Sequence, residues 1–109
     1  MSPALLEYER SGGVAALRDR LVVEQDARAS VTRKGRPREI ELDAALLRRI
    51  VDGLDKSRFL DLRAEYPAEG ADLMTYSIVY RGHTVRAMDT AVPWSLQPVL
   101  HILNDILDR

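Results

Sequence analysis

Two histidines are the residues of this chain best suited to acid–base or metal chemistry. Asp105 follows His101 by four residues, so on a helix the two side chains would share a face as a base and its orienting carboxylate. A surface hydrogen bond or a loose ion pair explains this spacing more simply and is the favoured interpretation. Neither His83 nor His101 has further ligands at metal-binding spacing, so the sequence predicts no metal site.

The other residues that could do chemistry are isolated. Ser95 lies shortly before a histidine, but no nucleophile-elbow sequence surrounds it, and a role as a helix cap is sufficient. Glu65 and Glu69 lie in a segment with Pro and Gly, where carboxylates are usually solvated. Gly12–Gly13 lacks the third spaced glycine of a dinucleotide-binding loop, and the chain has no cysteine. The sequence therefore predicts a protein that is not an enzyme, uses no cofactor, and acts by binding another molecule.

Composition limits the class of that partner. The 109 residues carry 16 Lys and Arg against 17 Asp and Glu, a balance that argues against nucleic acid as a partner. The most basic run, Arg33–Arg38, contains a Gly and a Pro, which favours a solvated hairpin loop over a phosphate-binding site. No segment has the length and apolar character needed to span a bilayer, so no membrane association is predicted. The lack of cysteine suits a reducing compartment, and the cytoplasm is the expected location.

Hydrophobic alternation predicts strands in the N-terminal part of the sequence and again between Leu73 and Asp89. Leu6 and Tyr8 alternate with two glutamates, which is the period of a half-buried strand. The N-terminal strands are predicted over Ala4–Arg10, Leu17–Gln25, Arg28–Arg33 and Arg38–Leu42. The strongest strand signal is Leu73–Tyr80, whose even positions are apolar or aromatic. Gly82–His83 then predicts a type II′ turn, and the returning strand is predicted over Thr84–Asp89.

Helical spacing predicts two main helices. Five apolar residues between Leu46 and Leu54 share a helical face, with Asp43 as the expected N-cap. A short helical turn is predicted in Ser57–Leu62 and a loop in Arg63–Asp72. Ser95 is the expected N-cap of the last helix, which places Pro98 in its first turn. The predicted fold is a single α+β domain over residues 1–109. It is an antiparallel sheet of four to five strands, with two main helices and a short helical turn on one face.

Two features exceed what a simple scaffold requires. Ser11–Leu17 is a glycine turn followed by small apolar residues. A bulged strand packed on the core is the favoured interpretation, and a compact apolar loop held out for a partner is the alternative. Trp94, the only tryptophan, stands beside Pro93 just before the last helix. Packing at the sheet edge is the favoured interpretation of Trp94, and a binding anchor is the alternative.

Several of these segments resemble the emfourin family. The resemblance begins at Arg10–Leu17 and continues in Asp72–Ile78, in Gly82–Arg86 with Asp89, and in the closing segment Pro93–Leu100. It covers most of the chain in an order that matches the predicted elements. The family consists of small bacterial proteins named for an inhibitor of protealysin, a thermolysin-like zinc metalloprotease. Val14 stands where the family's aromatic residue is expected, and Asp26–Arg38 resembles an added hairpin.

The resemblance implies stoichiometric inhibition of a thermolysin-like metalloprotease at its active-site cleft. Val14 or Leu17 would fill the apolar pocket of the protease, with His83 and Trp94 as secondary contact candidates. The candidate protease-contacting residues are Ser11, Gly12, Gly13, Val14, Ala15, Ala16 and Leu17. The alternative is a non-catalytic interaction module or homodimer that uses the sheet edge or the region around Trp94.

Overall fold

A seven-stranded sheet forms the centre of the computed structural model, which describes residues 4–109. In chain order the strands are β1 (Leu6–Gly12), β2 (Leu17–Val23), β3 (Arg28–Arg33), β4 (Arg36–Glu41), β5 (Glu65–Tyr66), β6 (Met74–Tyr80) and β7 (His83–Met88). Their order across the sheet is β4-β3-β2-β1-β6-β7-β5, and only the β5–β7 pair is parallel. The two helices are α1 (Ala44–Lys56) and α2 (Gln97–Leu107).

The predicted α+β class is confirmed, but the sheet has more strands than the four to five that were expected. The strand without a sequence signal is β5, which lies inside the segment Arg63–Asp72 that was expected to be a loop. It has only two residues, and its pairing with β7 begins with a hydrogen bond from the Arg86 amide to the Ala64 carbonyl at 2.8 Å. Such pairing depends on main-chain groups at a free sheet edge, so no side-chain alternation announces it.

The helix ends show how local signals compete with tertiary contacts. Asp43 is the N-cap of α1 as predicted, since its Oδ1 accepts from the Ala45 amide at 2.9 Å. A short 3₁₀ turn over Phe59–Asp61 confirms the predicted helical turn. The prediction that Ser95 caps α2 is wrong, because Trp94–Leu96 forms a 3₁₀ turn that leads into the helix. The Ser95 hydroxyl instead donates to the Ser57 carbonyl at 3.4 Å.

The β6–β7 turn also differs from the prediction. Tyr80 pairs with His83, so the two central residues are Arg81 and Gly82 rather than Gly82 and His83. Their φ angles are 49° and 76°, both positive, which is the pattern of a type I′ turn and not of type II′. His83 is consequently the first residue of β7, where its ring can pack against the core.

One face of the sheet, called here the covered face, packs against α1 and α2. The even positions of β1 and the odd positions of β2 lie on it, as the alternation of Leu6 and Tyr8 predicts. The strand residues buried there are Leu6, Tyr8, Leu21, Val23, Ala29, Val31, Ile78, Tyr80 and Val85, and the helices contribute Ile50, Leu54, Val99, Leu103, Ile106 and Leu107. The other face, called the open face, carries ion pairs such as Glu7–Arg20 at 2.6 Å. Among residues 4–109, neither helix has the length and apolar character to cross a membrane.

Candidate functional site

The most exposed apolar side chain near the N-terminal glycines is Val14, at the tip of the β1–β2 hairpin. Gly12 pairs with Leu17, which leaves Gly13–Ala16 as a four-residue loop called here the β1–β2 loop. The Ala16 amide donates to the Gly13 carbonyl at 3.1 Å and closes the loop as a tight turn. Val14 is 88% exposed, whereas Leu17 is half-buried at the start of β2. Of the two proposed pocket-filling side chains, the geometry therefore presents Val14.

Two glycines allow this loop to lie directly against the start of β6. A Cβ atom on Gly12, where φ is +100°, would stand 2.7 Å from the Leu73 carbonyl oxygen. A Cβ atom on Gly13, where φ is +77°, would stand 2.9 Å from the Met74 Sδ atom. Both positions have a backbone conformation that favours glycine, and at Gly12 the contact with the backbone also excludes any side chain. The Gly13 amide also donates to the Leu73 carbonyl at 3.4 Å, so the loop is supported along one side.

Beneath the loop, a buried arginine connects both strands of the hairpin to α2. Arg10 Nε donates to Asp19 Oδ2 at 2.9 Å, and Arg10 Nη2 donates to Asp108 Oδ1 at 2.7 Å. The Asp19 side chain is only 1% exposed. Tyr8 extends the cluster by donating to Asn104 Oδ1 at 2.6 Å. Because Arg10 lies in β1 and Asp19 in β2, this cluster fixes the base of the hairpin against the end of α2.

The electrostatics of this cluster favour the charged forms of Arg10 and Asp108. Burial alone would lower the pKa of Arg10, but the hydrogen bonds with Asp108 and Asp19 outweigh it and raise that pKa. The hydrogen bond from Arg10 lowers the pKa of Asp108. Burial raises the pKa of Tyr8, which keeps its hydroxyl as a donor to Asn104. The sequence analysis missed this cluster, although a signal was present: Arg10 and Asp19 are charged residues at positions whose alternation points to the covered face.

The secondary contact candidates have different environments. His83 is half-buried, its Nε2 atom lies 2.9 Å from the Leu62 carbonyl oxygen, and its ring meets Phe59 edge-on at 5.7 Å between centroids. These contacts indicate that His83, the first residue of β7, has a packing role. Trp94 is 89% exposed, so the favoured prediction that it packs at the sheet edge is wrong. The buried neighbour Leu96 fills the core instead, and the tight turn directs Trp94 outward.

The pairs that suggested catalysis lie on open surface. His101 and Asp105 are both exposed on α2, and Glu65 and Glu69 are both exposed in the segment that leads to β6. A base and its orienting carboxylate act best where water is excluded, and all four of these side chains are exposed to solvent. Within residues 4–109, no three His, Asp or Glu side chains converge as a set that could hold a metal ion.

The basic run forms the β3–β4 hairpin, as the composition of its turn predicted. Lys34 and Gly35 are its exposed turn residues, with φ angles of 52° and 73°. Two of its arginines bind main-chain oxygens at and after the end of α2: Arg33 Nη1 donates to the Leu107 carbonyl at 3.2 Å, and Arg38 Nη2 donates to the Arg109 main-chain oxygen at 2.5 Å. These side chains therefore hold α2 against the sheet.

A cavity of about 470 Å³ borders the β1–β2 loop on the open face. Its lining includes the hydroxyl side chains of Ser11, Thr75 and Ser77. Arg18, also in the lining, is held by Glu9 with 2.9 Å between Nε and Oε1. Ser11 directly precedes Gly12, so this cavity lies at the end of β1 that leads into the β1–β2 loop.

Comparisons with known proteins add no family to this description. No protein-family model matches the chain, and no curated protein is significantly similar to it.

Proposed function

We propose that this protein inhibits a thermolysin-like zinc metalloprotease by inserting the β1–β2 loop into the active-site cleft. The observation that carries the proposal is Val14, which is 88% exposed on a loop supported by β6. The segment that resembles the emfourin signature is the segment that forms this loop. A location in the cytoplasm, beside a protease made by the same cell, belongs to the same proposal.

An apolar side chain on a rigid loop suits such a cleft. Burying a valine side chain contributes roughly 1.5–3 kcal/mol, which corresponds to about a tenfold to hundredfold change in affinity. The Gly13–Ala16 turn is already ordered by its own hydrogen bond and by Leu73. Little conformational entropy remains to be lost on binding, so more of the burial energy appears as affinity.

The same turn explains how an inserted loop resists cleavage. A protease of this class binds its substrate as an extended strand. The β1–β2 loop can become extended only if the Ala16 amide leaves the Gly13 carbonyl and the Gly13 amide leaves Leu73. The hairpin register on both sides, Gly12 with Leu17 and Gly12 with Met74, opposes that change. The scissile geometry is therefore not reached, and the complex stays stoichiometric.

The test is titration of thermolysin and a protealysin-type enzyme with the purified protein. Wild type is expected to inhibit near a one-to-one ratio, and Val14→Asp to raise the inhibition constant at least about tenfold. Leu60→Asp is the control and is expected to inhibit like wild type, because Leu60 is also exposed but lies in the Phe59–Asp61 turn, outside every candidate contact. Full peptidase activity of several such enzymes at a large excess of wild type would refute the proposal. If Trp94→Asp loses inhibition while Val14→Asp retains it, then Trp94 and not the β1–β2 loop contacts the protease.

The second candidate function is a non-catalytic interaction module that uses Trp94. An 89% exposed tryptophan on a rigid turn is a typical hot-spot residue, which favours this candidate. Dimerisation through the β4 edge is less favoured, because Arg36, Arg38 and Glu39 are charged and Pro37 has no amide to donate. A homodimer through Trp94 predicts a mass that depends on concentration and a change in tryptophan emission on dilution. A constant monomer mass with constant emission would exclude that homodimer.

A further inference from the structure

We infer that Met74 is a positioning residue for the β1–β2 loop and that its oxidation displaces the loop. The structural effect on the loop stands on the contacts of Met74 alone. The consequence for inhibition rests on the proposed function. The inferred switch is the conversion of the Met74 thioether to a sulfoxide by a peroxide.

Met74 is the side chain on which the loop is supported. It is the first residue of β6, pairs with Gly12, and lies on the covered face with the other even positions of that strand. Its Sδ atom is so close to Gly13 that a Cβ there would stand only 2.9 Å away. The absence of a side chain on Gly13 therefore leaves the space that the Met74 sulfur occupies. Met74 is half-buried, so a small oxidant can reach it from solvent.

The oxidation step is balanced by the peroxide alone. Sδ attacks one peroxide oxygen, the sulfur–oxygen bond forms, and the oxygen–oxygen bond breaks. The thioether loses two electrons and the peroxide gains them. The second oxygen leaves as hydroxide and takes up the proton of the attacked oxygen, so that water is the second product. The product is a polar and bulkier side chain in place of a flexible apolar one.

The added oxygen conflicts with the packing around Met74. An oxygen on Sδ directed toward Gly13 would overlap the loop backbone, because a Cβ atom on Gly13 would already stand only 2.9 Å from the sulfur. The side chain must then turn outward, which removes the support of Gly13 and weakens its long 3.4 Å hydrogen bond to Leu73.

Met88 provides a matched control within the same molecule. It is also half-buried, and its sulfur accepts a hydrogen bond from the Ala68 amide at 3.3 Å. A sulfoxide oxygen accepts hydrogen bonds more strongly than a thioether, so oxidation of Met88 can retain this contact. Met88 is not among the nearest atoms to Gly12 or Gly13. Oxidation of Met88 is therefore expected to leave the β1–β2 loop in place.

The experiment compares Met74→Leu and Met88→Leu after treatment with hydrogen peroxide, with peptide mass spectrometry to confirm the oxidised site. Both variants retain Met1, so its oxidation is matched. Amide hydrogen exchange at Gly13 and Ala16 is measured first, because this readout needs no protease. In Met88→Leu, where Met74 is oxidised, exchange at these amides is expected to be at least about tenfold faster, and a methionine sulfoxide reductase is expected to reverse the change. Met74→Leu is expected to show no such change.

The inhibition assay is then run on the same samples. If exchange is unchanged when Met74 is oxidised, the inference is overturned. If exchange accelerates equally in oxidised Met74→Leu, the effect does not come from Met74 and the inference is also overturned. If exchange responds as expected but even the unoxidised protein inhibits none of the proteases, the control of the loop by Met74 stands and the proposed function fails.

Discussion

Replacing Arg10 by methionine is expected to be among the most damaging single changes in this protein. Methionine fits the space of the aliphatic stem of Arg10 but removes the guanidinium between Asp19 and Asp108. Asp108 is 55% exposed and can be hydrated by water, whereas Asp19 is 1% exposed and is left as a buried charge. The cost therefore comes mainly from Asp19.

The magnitude follows from this difference in exposure. Breaking a buried ion pair by removing one partner costs about 3–5 kcal/mol. Arg33 offsets part of this cost, because its Nε atom lies 3.9 Å from Asp19 Oδ2. We therefore expect Arg10→Met to lower the free energy of unfolding by about 3–4 kcal/mol, a large part of the roughly 5–15 kcal/mol typical of a domain. With a urea slope near 1.5 kcal/mol per molar, the midpoint would fall by about 2–3 M.

The double variant Arg10→Met with Asp19→Asn separates this explanation from simple loss of packing. Removing the second charge relieves the buried carboxylate, so the double variant is expected to be more stable than Arg10→Met by about 1–2 kcal/mol. The assay is urea denaturation at neutral pH, followed by circular dichroism. A cost below about 1 kcal/mol for Arg10→Met, or further destabilisation in the double variant, would refute the reasoning.

Two further predictions concern the loop support and pH. Gly12→Ala is expected to cost about 2–4 kcal/mol, because it combines a positive φ with a 2.7 Å contact to the Leu73 carbonyl oxygen. Gly35→Ala, which has a similar φ but no atom within 4 Å, should cost only about 1–2 kcal/mol; equal urea midpoints for the two would contradict the contact argument. For Asp108, whose pKa is lowered by Arg10, the ionised carboxylate stabilises the fold above its ordinary pKa of 3.8, and this contribution is lost as pH falls through the lower folded value. The difference in urea midpoint between wild type and Asp108→Asn should therefore be largest at neutral pH and should disappear in strong acid. A difference independent of pH would contradict the stabilising role of the Asp108 carboxylate.

The hydrophobic pattern of the sequence was enough to predict the class of the fold and most of its elements. The alternation of Leu6 and Tyr8 with glutamates and the spacing from Leu46 to Leu54 depend only on which residues avoid water. Asp43 as an N-cap and Pro98 in a first helical turn are equally local, because they concern the backbone within one turn. The segment of the candidate loop was singled out in the same way, from two glycines followed by small apolar residues. Its favoured interpretation as a bulged strand packed on the core is wrong, because Val14 is 88% exposed at the tip of a hairpin.

Tertiary structure decided the features that depend on residues distant in the sequence. β5 exists because the edge of β7 offers main-chain partners, and the Arg10–Asp19–Asp108 cluster exists because β1, β2 and α2 meet. Trp94 points outward because Leu96 already occupies the core beneath it. The sequence itself determined that the chain turns after its two glycines. Only the pairing of β1 with β6 determined that Met74 supports this turn, and only the β1–β2 register left Val14 exposed at its tip. The physical reason is that the conformational preference of the backbone depends on a few neighbouring residues, whereas the exposure of a side chain depends on which other elements pack against it.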